Sequence, residues 1–170
     1  MQPKNLFLAL CSWLPILTPQ IGYSLTNQKD TLYWSDTVTL VSDLYIPSGK
    51  LLVINPGTVV ILEESSRIIV SGGLFAAGNP VSAIEFKGPA LTATNGSSGI
   101  RITGGTDTAI FEFCQFAHCG SLNAGGGDDK GAVNIENREK VIFQHCSFKG
   151  NYAIISGGAI SSLNSGLEIT

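Results

Sequence analysis

The sequence predicts an all-β chain wound into a parallel β-solenoid, and three observations carry that prediction. Glycine accounts for 20 of the 170 residues against a single methionine. That is a composition of tight turns, because Gly takes φ > 0 without steric cost. No coherent helical period follows the first two dozen residues. Repetition is the third observation. Leu52, Ile68, Ile84 and Ile100 stand sixteen positions apart, and Ile54, Val70, Phe86 and Ile102 keep the same step two positions on. Residues at i and i+2 share one face of a strand. Gly57 and Gly73 repeat the step at the turn, and Val60 and Ala76 repeat it on the strand that follows. A coil of about sixteen residues stacking on itself is the simplest reading.

The chain opens differently. "MQPKNLFLALCSWLPILTPQIGYS" places Lys4 before an apolar run from Leu6 to Leu17 and then small residues at Gly22 and Ser24. Basic, apolar, small is the order of a secretory signal peptide, so residues 1–24 are read as one, with cleavage after Ser24. The run is too short to span a bilayer. Leu10 stands where a lipoprotein signal ending at Cys11 would need a small residue. A secreted, extracellular or outer-membrane-surface location follows. With 14% charged residues and a formal net charge of −3, the chain offers no field for nucleic acid or an anionic membrane.

Residues 25–50 are read as an N-terminal cap. "TLYWSDTVTLVSDLYIPSG" (31–49) carries Tyr33 and Trp34, large enough to close an apolar end. Residues 51–170 are read as coils. After Gly99 the period lengthens: "AIFEFCQF" (109–116) matches "VIFQHCSF" (141–148) 32 residues on. "GAV" (131–133) matches "GAI" (158–160) at 27, and Phe143 matches Ile169 at 26. The segment "GSLNAGGGDDK" (120–130) reads as an inserted loop. One coil cannot bury its apolar face alone, so neighbouring coils cover it. The interior is expected to hold columns of Ile, Val, Phe and Cys, with Arg101, Glu112, Gln144 and Lys149 outside. "SGLEIT" begins another strand, so the coils are read as incomplete at the C-terminus. An open last coil is expected to drive self-association.

"LYIPSGKLLVINPGTVVIL", "IIVSGGLFAAG" and "AIEF" (44–86) resemble the opening of secreted right-handed parallel β-helix proteins. "CSFKGNYAIISGGAI" (146–160) resembles the repeats of polymorphic outer-membrane adhesins, which are autotransporters with F-x-x-N and G-G-A-I motifs. Here those are Phe148, Asn151 and Gly157, Gly158, Ala159, Ile160. The resemblance implies a right-handed β-helix acting as an adhesion module or rigid stalk, with a cell-surface glycan or protein as partner. Similar coils occur in polysaccharide lyases and glycoside hydrolases, so an enzyme whose active coils lie beyond residue 170 is the alternative. Only one full copy of each motif is present, and Cys119 aligns with Asn151.

Catalysis on such a scaffold needs ionisable groups clustered on one outer face. Glu63 and Glu64 are adjacent on a turn and do not converge. His118 and His145 do not align with each other, since the 32-residue offset matches His145 with Phe113. No catalytic residue is assigned. Asp128 and Asp129 in the inserted loop form the best acidic feature; hard oxygen ligands suit Ca²⁺, but no D-x-D-x-D spacing accompanies them. Neither a metal nor a cofactor is expected. Tyr152, whose ring could stack on a sugar, joins Asp128 and Asp129 as a candidate ligand-binding residue. Asn151 is expected to take the left-handed conformation and bond local backbone, and Gly157 and Gly158 to turn the chain. Export leaves Cys114, Cys119 and Cys146, an odd number with no zinc spacing, read as two packed cysteines and a spare. The reading of the first 24 residues is directly testable: N-terminal sequencing of the secreted product should begin at Leu25.

Overall fold

Runs of three to five residues with alternating apolar side chains form every strand of the computed structural model, which describes residues 30–89, 98–120 and 131–170. Three strands make a coil. The first is β1 (Asp30–Trp34), β2 (Thr37–Leu40) and β3 (Leu44–Ile46); the second is β4 (Lys50–Ile54), β5 (Val59–Leu62) and β6 (Arg67–Val70). The third comprises β7 (Gly73–Ala77), β8 (Ile84–Lys87) and β9 (Gly99–Thr103), and the fourth β10 (Ala109–Glu112), β11 (Cys114–Ala117) and β12 (Val133–Glu136). A fifth comprises β13 (Val141–Gln144), β14 (Ser147–Lys149) and β15 (Ile160–Leu163), after which β16 (Leu167–Ile169) starts another turn.

Equivalent strands stack into three sheets. Sheet 1 runs β1-β4-β7-β10-β13-β16, sheet 2 runs β2-β5-β8-β11-β14, and sheet 3 runs β3-β6-β9-β12-β15. Every strand pair is parallel. No helix occurs among the described residues. The chain is a right-handed parallel β-helix of three-sided coils, the hand that strand twist favours for any parallel crossover.

The coil is not sixteen residues long. Leu52 pairs with Leu74, and Ile68 pairs with Ile100. Leu52, Ile68, Ile84 and Ile100 lie in β4, β6, β8 and β9, members of three different sheets. The sixteen-residue step counts two strand-and-turn units from Leu52 to Ile68 and from Ile68 to Ile84 but only one, with its long connection, from Ile84 to Ile100, whereas closing the prism takes three. The column Leu32, Leu52, Leu74, Ala109, Val141, Leu167 gives true coil lengths of 20 to 35 residues. The longer offsets are genuine stacking registers: Ala109 lies over Val141, Val133 over Ile160, and Phe143 over Ile169. Residues 31–49, expected as part of a cap, hold the strands of the first coil, which pair with those of the second. Trp34 enters the core over Ile54, whereas Tyr33 faces outward with 66% of its surface exposed.

The interior is filled like on like. Phe86, Phe116 and Phe148 stack with ring centroids 4.9 and 4.6 Å apart and planes within 6°. Phe111 and Phe143 form a second stack at 4.8 Å. The two columns meet edge to face, as with Phe111 and Phe116 at 5.6 Å and 68°. Offset stacking and edge-on contact are the two favourable arrangements of aromatic quadrupoles. Isoleucine and valine fill the sheet 3 side, in the column Ile68, Ile100, Val133.

One buried cation spans the corner where sheet 3 returns to sheet 1. Arg138, 1% exposed, donates from Nη1 to the carbonyls of Ser71 (3.0 Å) and Gly104 (2.6 Å), and from Nη2 to that of Gly72. Its own amide donates to Ser165 Oγ at 3.0 Å. The side chain thus joins corners of the second, third and fourth coils, and its backbone reaches the fifth. Burial lowers the guanidinium pKa, and the charge of Asp107 opposes that shift. Truncating a buried donor orphans its acceptors, which costs more than the bonds' net worth. Arg138→Met should therefore destabilise the fold by about 3 kcal/mol, read as a lower urea midpoint, and Arg138→Lys should fall between the two.

Candidate functional site

Turn lengths single out one edge of the prism. The connections from sheet 1 to sheet 2, and from sheet 3 back to sheet 1, never exceed six residues. Those from sheet 2 to sheet 3 grow from residues 41–43 and 63–66 to 88–98, 118–132 and 150–159. Insertions in a solenoid collect on one edge because ladder pairing fixes strand length and leaves only corners free. Three successive coils therefore carry their extra chain at the same place.

The backbone of this edge is tied across coils. Gly120 exchanges hydrogen bonds with Ser98 of the third coil, N to O at 2.7 Å and O from N at 3.1 Å, and bridges to Tyr152 of the fifth. Its φ of 116° and the Tyr152 carbonyl, which a Cβ would strike, both require glycine. Asn151 works on the same corner. Its Oδ1 accepts from the Cys119 amide at 2.9 Å, and its Nδ2 donates to the Phe116 carbonyl at 3.0 Å. Both partners belong to the preceding coil, and Cys119 is the residue with which Asn151 aligns. Tyr152 N then donates to the Cys119 carbonyl at 3.0 Å.

The predicted motif residues gather here. Phe148 stacks on Phe116, and Ile160 pairs with Val133 at the margin of the core. The Gly158 and Ala159 carbonyls accept from Ala132 and Val133, each at 3.0 Å. Gly131 lies so close beneath the Gly157 and Gly158 carbonyls that a Cβ would collide with both. One expectation is corrected. Among the described residues of this corner in the fourth and fifth coils, the left-handed ones are His118, Gly120 and Gly150, not Asn151. Asn151 bonds backbone 32 and 35 residues back instead of its own turn. The stacked coil below offers unpaired amide and carbonyl groups that no local turn can supply.

Tyr152 is 47% exposed and lies in a segment with Ile154 and Ile155, which are 44% and 75% exposed. Asp128 and Asp129 lie outside the described residues, as does the proposed signal peptide. Elsewhere on the exterior, carboxylates lie beside cations. Asp43 receives Arg67 Nη2 at 2.8 Å and Nε at 3.3 Å, Glu136 receives Arg101 at 3.1 Å, and Asp30 lies 3.3 Å from Lys50. No cluster of three His, Cys, Asp or Glu converges among the described residues. His145 stacks on Phe113 at 4.6 Å, the pairing its 32-residue offset implies. Both occupy left-handed backbone at the corner between sheets 1 and 2.

The sequence reading missed two polar residues. Arg138 gave no signal, because its partners are main-chain carbonyls in distant coils. Asn134 is 6% exposed on the outer side of sheet 3, beside Arg101 in register, and donates to Glu136 Oε1 at 3.3 Å. The free cysteines divide as a stacked pair, Cys114 and Cys146, and a separate Cys119 at the elaborated corner. Burial pushes the Cys119 thiol up to about 12, which keeps it protonated and inert at neutral pH.

No family model matches the chain, and neither a curated protein nor a solved structure matches it significantly. The geometry of the corner gives its own test. Asn151→Ala removes a donor and an acceptor from partly buried backbone and should cost about 2 kcal/mol in a urea titration. Asn151→Asp keeps the bond to the Cys119 amide but turns an oxygen toward the Phe116 carbonyl, so it too should lower the midpoint.

Proposed function

We propose that this chain is a secreted or cell-surface β-helix module of the outer-membrane adhesin type, acting as a binding or stalk region without catalysis of its own. Its partner is a surface glycan or protein, which it engages through the elaborated edge between sheets 2 and 3. One observation carries this reading: the extra chain of three consecutive coils falls on that single edge, beside an exposed Tyr152, Ile154 and Ile155. Repeat scaffolds place their binding surface where insertions collect. Tyrosine suits such a surface, since its ring offers a large rigid apolar face and its hydroxyl a polar handle.

The motif residues support the same division of labour. Asn151, Gly157 and Gly158 are engaged with backbone and hold the edge in shape, which leaves recognition to the side chains that project from it. The test compares binding of the exported protein to glycan arrays and intact cells. Tyr152→Ala with Ile155→Asp should weaken binding at least tenfold, whereas Thr39→Lys, on the exposed side of β2, should leave it unchanged. Equal binding by all three proteins, or cleavage of a polysaccharide on the array, would end this reading.

A further inference from the structure

Cys114 and Cys146 occupy the same position in consecutive coils. The ladder that pairs Gln115 with Ser147, Phe116 with Phe148 and Ala117 with Lys149 places them one above the other, and the stacked rings of Phe113 and His145 fix the register from the other side. Parallel neighbours stand about 4.8 Å apart between equivalent Cα atoms, within the roughly 4.4–6.8 Å that disulfides span. From this geometry we infer that Cys114 and Cys146 form a redox-active dithiol, oxidised by small-molecule disulfides to a cross-link between the fourth and fifth coils.

The surroundings divide the roles. Cys114 is fully buried, and its Sγ lies 3.4 Å from the Ala76 and Glu112 carbonyl oxygens. Cys146 is only partly buried, with its Sγ 3.4 and 3.3 Å from the Phe111 and Gln144 carbonyl oxygens. Burial raises the Cys114 thiol, and the hydrogen bond between the two sulfurs lowers that of Cys146. Cys146 is therefore the attacking sulfur, since the thiolate is the nucleophile. Its thiolate attacks one sulfur of the oxidant disulfide. That S–S bond breaks, and the departing thiolate takes up a proton. Cys114 then attacks the Cys146 sulfur of the mixed disulfide and expels the second oxidant thiol, which carries off the Cys114 proton. Two protein thiols are oxidised to one disulfide, and one oxidant disulfide is reduced to two thiols.

Cys119 serves as the internal control. It lies three residues after Phe116 along the chain, at the next corner, it is 1% exposed, and its thiol is held protonated. The experiment incubates the exported protein with oxidised glutathione and counts thiols after denaturation. The count should fall from three to one, and tryptic digestion without reductant should yield peptide 102–130 joined to 141–149. The joined peptide should persist in Cys119→Ser and be absent from Cys146→Ala. Reduced glutathione should restore all three thiols. An unchanged thiol count, a glutathione adduct on Cys146 with Cys114 still free, or a cross-link that disappears in Cys119→Ser would each overturn the inference. Peptide 102–130 carries both Cys114 and Cys119, so fragmentation of the joined wild-type peptide, which depends on neither variant folding, should place the link on Cys114, and a link on Cys119 would overturn the inference.

Discussion

In-register parallel stacking governs everything else in this molecule. Each strand lies over its own equivalent one coil away at about 4.8 Å, so every interior side chain meets the residue at the same position of the next coil. Flat rings tolerate that repetition, which is why Phe86, Phe116 and Phe148 form a column with planes within 6°. Branched aliphatics tolerate it too, as along Ile68, Ile100 and Val133. Charges do not, because like charges directly opposite repel. Opposite charges accordingly meet between neighbouring coils: Asp30 faces Lys50, Asp43 faces Arg67, and Arg101 reaches Glu136. The same rule that stacks phenylalanines brings Cys114 against Cys146.

Corners are where the ladder leaves polar groups unsatisfied, and each of the three has its own remedy. Between sheets 1 and 2, Thr58 Oγ1 donates to the Asn55 carbonyl at 2.7 Å and lies 3.4 Å from that of Trp34 in the coil before. Between sheets 2 and 3, the Asn151 amide serves both a donor and an acceptor of the preceding coil. Between sheets 3 and 1, the Arg138 guanidinium collects carbonyls from two earlier corners, while Asn164 donates to Asn137 at 3.4 Å, both in left-handed backbone. A buried backbone group without a partner costs free energy on the order of a lost hydrogen bond, so these few side chains hold far more backbone than their number implies.

This division explains what the sequence made legible. Offsets of 32, 27 and 26 residues were readable because stacked positions carry similar side chains, Phe111 over Phe143 and Val133 over Ile160. The sixteen-residue step misled because the alternating apolar pair recurs in every strand, whichever sheet it joins. Periodicity reports the strand-and-turn unit, and only pairing reports how many units close a coil. Asn151 was readable as a motif member, yet its partners were not, since a side chain that bonds main chain leaves no mark on its partner's identity. Arg138 was hidden for the same reason. Tyr33 and Trp34 look alike as cap material, but strand alternation sends only Trp34 inward.

Nearest-neighbour contact is the usual energetic description of a solenoid, and one feature here exceeds it. Arg138 links the second, third and fourth coils through one side chain, whereas Gly120 ties its own coil to the adjacent third and fifth through its backbone. Coils two to four are therefore coupled beyond adjacent pairs, and the ties between coils continue along the corners to the fifth. The edge that carries the long connections is consequently anchored at its base even where the chain is longest. A surface anchored in this way loses little backbone freedom when a partner docks. That lowers the ordering cost that otherwise consumes the gain from contact. In the proposed function, rigidity of the stack would serve recognition at its edge, because the bonds that keep Asn151 and Gly120 in register also hold Tyr152 in place.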